Sequence, residues 1–177
     1  MRVLASLFFT LVSLAALPAH AADPVTDAMQ AAYAPYRAAL FRTNNNAQPE
    51  SEQAIAQAQQ AWKAISERFA GKPSAPYDRD PEFAKSLAQV AAVYERAAQQ
   101  IGDRRLADAH ETLEQVRDLI AGLRRRNDVV VFSDHMNEYH SQMELIVVDG
   151  TATLAQPKGL LTLTAQAGTL GYLAKRL

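Results

Sequence analysis

After residue 22 the apolar residues of this chain recur three or four apart almost without interruption, and prolines follow aspartates where helices would begin. No strand repeat survives beside that pattern. Asp23-Pro24 reads as an N-cap followed by a proline whose missing N–H is harmless in the first turn, and it starts a first helix. Pro35 is expected to kink or restart it. Thr43 to Asn46 forms a turn cluster, and Pro49-Glu50-Ser51-Glu52 opens a second helix with Ala54, Ala58, Trp62, Ile65 and Phe69 on one face. A loop follows from Gly71 to Tyr77. Asp80-Pro81-Glu82 repeats the cap-and-proline signature, and Phe83, Leu87, Val90, Val93 and Tyr94 continue at helical spacing to Gly102.

Asp103 is the expected cap of a fourth helix, whose apolar stripe is Leu106, Ala109, Leu113, Val116, Ile120 and Leu123. Arg124, Arg125 and Arg126 suit a helix C-terminus, and Asn127-Asp128 marks a break. Val129 to Phe132 is β-rich by propensity, but Met136, Tyr139, Met143, Ile146 and Val147 return to helical spacing, predicting a helix over 132–148. Asp149-Gly150 reads as a turn. Lys158 to Leu177 reads as a last helix with Leu160, Leu163, Ala167 and Leu170 inward. The expected fold is all-α, an antiparallel helical bundle of four to six helices.

Arg2, the uncharged run Val3 to Leu17 and the small-x-small triplet Ala19-His20-Ala21 read as a secretory signal peptide over 1–21, cleaved before Ala22. That leaves a single domain over 22–177, periplasmic or secreted. The compartment permits disulfides, yet the chain has no cysteine, so stability must come from packing. The same absence excludes a lipoprotein anchor, covalent c-type haem, iron–sulfur clusters, zinc ribbons and thiol chemistry. With 18 basic and 19 acidic residues, nothing in the charge points to nucleic acid. Gly159 to Ala174 is nearly uncharged between Lys158 and Lys175-Arg176, but it is too short and too polar to span a bilayer. It reads as a packed or partly surface-bound helix.

Soft and borderline metal ligands concentrate between Ser133 and Glu144, which holds His135, His140, Met136 and Met143. At about 100° per residue, Met136, His140 and Met143 fall within about 60° of one another, with Glu144 about 40° beyond His140. His135 points about 140° away from His140 and cannot share an ion with it from one helix. His110 and Glu114 repeat the four-residue spacing of His140 and Glu144. If the chain reverses at Asn127, positions symmetric about that residue lie at equal heights, so His110 would face Glu144 and Glu114 would face His140. Two nitrogens and two carboxylates suit zinc, copper(II) or iron, and the methionines shift the preference toward copper. An extended Val129–Phe132 would slip that register. The competing reading is a surface hydrogen-bonded His–Glu pair on each helix, with methionines filling gaps.

Asn137-Glu138-Tyr139-His140 resembles the haem-histidine segment of the periplasmic b-type four-helix cytochromes. The resemblance implies non-covalent haem held between an early methionine, Met29, and His140. The chain departs from that family in length and in the long sequence after His140.

Enzymatic constellations are missing. Gly168-Thr169-Leu170-Gly171 has neither the spacing nor the flanking strand of a phosphate loop, and no nucleophile-elbow serine occurs. The di-iron Glu-x-x-His signature fails because Ala107 and Asn137 stand three residues before His110 and His140. Glu111 and Glu114 beside Arg117 read as surface ion pairs rather than glycosidase acids. Two non-enzymatic classes follow. One is an exported binding protein passing copper, iron or zinc to a membrane transporter or metalloenzyme. The other is a structural or interaction bundle of the cell envelope.

Overall fold

The computed structural model describes residues 23–177, so the signal peptide expected over 1–21 lies outside the described residues. The described chain is all-helical, without a strand. Its seven α-helices are α1 (Pro24–Asn44), α2 (Gln48–Phe69), α3 (Phe83–Gly102), α4 (Leu106–Arg126), α5 (Phe132–Val147), α6 (Gly150–Leu154) and α7 (Gly159–Ala174), with a 3-10 turn at Tyr77–Arg79.

Asp23 caps α1 by accepting a hydrogen bond from the Thr26 amide at 3.0 Å, with Pro24 just inside the first turn. The chain does not restart at Pro35, because α1 runs through it to Asn44. Val25, Met29, Ala32, Tyr36 and Ala39 are buried along one stripe on both sides of the proline. That packing holds the two halves in one helix although Pro35 donates no hydrogen bond.

α1 packs on α2 and α4, α2 on α3, and α3 on α4, closing a ring of four helices around one core. Trp62, Tyr94, Leu87, Ile101, Leu113 and Val116 are buried inside it. Each side chain of this size contributes roughly 1.5–3 kcal/mol on burial. The Trp62 indole N–H donates to the Leu87 carbonyl at 2.9 Å, so its polar atom is satisfied.

Two helix starts differ from expectation by two or three residues. α3 begins at Phe83 because Asp80 is drawn to the end of the neighbouring α4. Its Oδ2 accepts from Arg126 at 3.1 Å and from Asn127 at 2.9 Å, while Oδ1 accepts from the Glu82 amide at 2.9 Å. Asp103 ends α3 rather than capping α4, which starts at Leu106 after Arg104 takes a left-handed conformation at φ 60°.

The break after α4 stands at Asn127-Asp128, with Asp128 at φ 56°. Val131 is extended, at φ −122° and ψ 164°, and α5 starts at Phe132. α5 packs on α7 and α6, and α6 on α7, making a second helical group. Arg124, itself buried, joins this group to the ring by donating Nε to Asp134 Oδ2 at 3.0 Å and Nη2 to Oδ1. No residue of α5 is buried, and α6 and α7 bury only Gly150, Gly159 and Leu173.

The turn expected at Asp149-Gly150 falls at Val148-Asp149, and Gly150 begins a short helix. The inward face of α7 is also rotated from its expected position. Leu173 is buried and Leu163, Gln166 and Leu170 half-buried, whereas Leu160 is 72% exposed and Ala167 is exposed. A Cβ on Gly159 would meet the Thr153 carbonyl oxygen at 2.0 Å, so the glycine must face α6. Leu160, about 100° further round, is turned outward.

Candidate functional site

His110 sits on α4 against the end of α1. Its Nδ1 is 3.2 Å from the Leu40 carbonyl and 3.4 Å from the Thr43 hydroxyl, which itself donates to the Ala39 and Leu40 carbonyls. The Leu40 carbonyl can only accept, so Nδ1 is the donor in that contact. Nε2 is 3.8 Å from Glu114 Oε1, and the other Glu114 oxygen takes Arg117 Nη1 at 2.9 Å. Glu114 is therefore shared between a histidine and an arginine on its own helix.

His140 and Glu144 form a closer pair on α5, with Nε2 to Oε1 at 3.0 Å and both side chains about half exposed. Met136 is exposed one turn before His140, and Met143 is half-buried. Phe132 and Val147, both exposed, extend the same outer stripe at its ends.

The two His–Glu pairs stay apart: α5 finds its packing partners in α7 and α6, whereas α4 packs into the ring between α1 and α3. Val131 is extended and stands before α5, which is the condition that slips the register, and His110 turns toward α1. Among the described residues no three histidine, aspartate or glutamate side chains group in a way that could hold a metal ion. His135 lies elsewhere again, lining a cleft between α4 and α5 with Asp118, Arg125, Glu138 and Arg176. Met29 lines a different cleft, which His140 does not reach, so the two residues singled out by the cytochrome resemblance are not brought together.

That second cleft, about 220 Å³, lies where α1, α4 and the start of α5 meet. Tyr33, Tyr36, Arg117, Arg124, Phe132 and Asn137 line it together with Met29. The Tyr33 and Tyr36 rings are tilted at 5.6 Å between centroids. Tyr36 is 2% exposed, and its hydroxyl has no hydrogen-bond partner among the described residues. Burial, reinforced by the nearby Glu114 carboxylate, pushes its pKa far above the ordinary tyrosine value. Tyr36 is thus a permanent neutral hydroxyl, not a base. The cleft was not anticipated from sequence. The three-residue spacing of Tyr33 and Tyr36 was visible, but nothing local shows that α5 returns over them.

The fold defines an all-helical protein with a four-helix core and a thinly covered C-terminal group. Compared with protein families, curated proteins and solved structures, the chain has no match among any of them.

Proposed function

We propose that the chain is an exported, non-catalytic helical bundle that works by docking, with the α1–α4 ring as scaffold and the α5–α7 group as its docking part. The ring is read as antiparallel, since α1 and α2 are joined by only three residues and a link of that length turns the chain back. Export rests on Arg2, the apolar run after it and the Ala19-His20-Ala21 triplet. One observation carries the docking reading: apart from Phe41, every large apolar side chain recorded as exposed among the described residues lies between Val130 and Leu177. Scattered exposed leucines need no explanation, but their concentration in one helical group marks an interaction surface. The test is a fluorescent dye that lights up on apolar protein surface, added to the folded protein. Strong emission with native near-ultraviolet dichroism, reduced in Val148→Asp and in Leu161→Asp, is the expected result. Emission no higher than for an ordinary globular protein sinks the reading.

A second reading, that the protein handles copper, iron or zinc for a transporter or metalloenzyme, is favoured by the open His140–Glu144 pair. Met136 and Met143 stand within about 60° of His140 on the same helix, so the outer stripe offers imidazole, carboxylate and the exposed Met136 thioether, with the half-buried Met143 at its edge. That donor set suits copper best. Thermal melting with Cu(I), Cu(II), Zn(II), Fe(II) or haem added singly decides it. A rise of a few degrees for one ligand, lost in His140→Ala, supports the reading. No shift with any of the five removes it.

A further inference from the structure

α7 has the composition of a buried helix and the position of a surface one. From Gly159 to Ala174 it carries no charged residue on any side, yet Leu160, Leu161, Ala165, Gly168 and Tyr172 are exposed. A helix that is uncharged all round is normally covered all round. Among the described helices only α5 and α6 pack on it appreciably, and they cover one stripe. The corner leading into α7 adds Val147, Val148 and Leu154, each more than half exposed.

The charges around this face select its occupant. Lys158 stands at the start of α7, Lys175 and Arg176 at its end, and no residue from Gly150 to Leu177 is acidic, so the exposed Asp149 is the single acidic side chain between Val147 and Leu177. The Arg176 guanidinium lies over the Tyr172 ring, 5.8 Å from its centroid, so a cation and an amphipathic aromatic share one end. A second copy would match the apolar face but not these charges. Head-to-tail pairing of α7 with itself sets Lys158 against the opposite cationic end, and parallel pairing sets each cation on its own counterpart. A surface of anionic phospholipid matches both the apolar face and the cations.

The length of α7 sets its orientation. Sixteen residues make a helix about 24 Å long, shorter than the roughly 30 Å of a bilayer's hydrocarbon. Among the described residues no helix is long and apolar enough to cross a membrane. Resting on the docking reading above, we infer that α7 and the corner from Val147 to Leu161 lie in the plane of an anionic membrane surface. The exposed apolar side chains sit at the acyl boundary, with Lys158 and Lys175 at the lipid phosphates, while Arg176 borders the cleft between α4 and α5.

The experiment is flotation of the folded mature protein with two kinds of vesicle, pure phosphatidylcholine and equimolar phosphatidylglycerol–phosphatidylcholine, alongside light scattering of the protein alone. Expected is binding to the anionic vesicles, weak or no binding to the neutral ones, and release by high salt. Each surface cation is worth roughly five-fold in affinity, so Lys158→Gln with Lys175→Gln loses roughly 25-fold. Leu161→Asp loses binding while its melting temperature, read by circular dichroism, is unchanged. Equal binding to both vesicles overturns the anionic assignment. No vesicle binding together with self-association abolished by Leu161→Asp overturns the lipid inference in favour of a second copy and leaves the docking reading standing. No vesicle binding and no self-association, with the apolar dye still bound, overturns the lipid inference alone. Loss of the dye signal as well takes both down.

Discussion

Asp80 ties the entry of α3 to the exit of α4, and its chemistry is set by competition. Burial raises the pKa of its carboxyl, but hydrogen bonds from Asn127, the Glu82 amide and Arg126 outweigh that and hold it below the ordinary 3.8. A carboxylate depressed in the folded state stabilises the fold at pH above its unfolded pKa. That contribution is lost as the pH falls from about 4 through the folded value. Asp80→Asn keeps the shape and removes the charge. Urea unfolding at neutral pH should show the variant roughly 1–2 kcal/mol less stable than the parent, with the gap narrowing as the pH falls below the ordinary 3.8. A deficit of the same size at neutral and acid pH would mean that shape, not charge, matters at Asp80. Arg124 plays the matching part at the other junction, since its pair with Asp134 is the charged link recorded between the ring and α5.

At the scale of elements, the helices of the ring could be read from periodicity because each buries a stripe defined by its own sequence. The apolar stripe expected for α4, from Leu106 to Leu123, is its buried face. What could not be read was anything decided by a distant partner. Asp80 carries the same cap signal as Asp23, but it is taken by Arg126 and Asn127, forty-odd residues away, and α3 starts later. The rotation of α7 was hidden for a similar reason. Its leucines fit several faces equally well, and the choice is made by the close approach of Gly159 to Thr153 and Leu154. For the candidate site, the His140–Glu144 and His110–Glu114 spacings were legible as helical neighbours. Whether α5 would lie on α4 depended on three valines whose backbone no local pattern determines. With Val131 extended and α5 packed on α7, the two pairs do not come face to face.

The whole molecule is built in two degrees of solidity. Aromatic and aliphatic side chains fill the ring, whereas the α5–α7 group buries only Gly150, Gly159 and Leu173. Local opening is governed by that difference in buried apolar contact. Amide hydrogen exchange followed by mass spectrometry should find peptides from α5 to α7 exchanging on the order of 100-fold faster than those from the middles of α2, α3 and α4. Uniform protection across the chain would overturn the division. The chain also carries its own optical label for one of the two parts. Trp62 is its single tryptophan, buried between α2 and α3 with its ring edge-on to Tyr94. Its emission reports the melting of the ring and is blind to events in the C-terminal group. A titration followed by tryptophan emission alone would register nothing while α7 engages a ligand, so an empty trace at that wavelength is no sign of an idle protein.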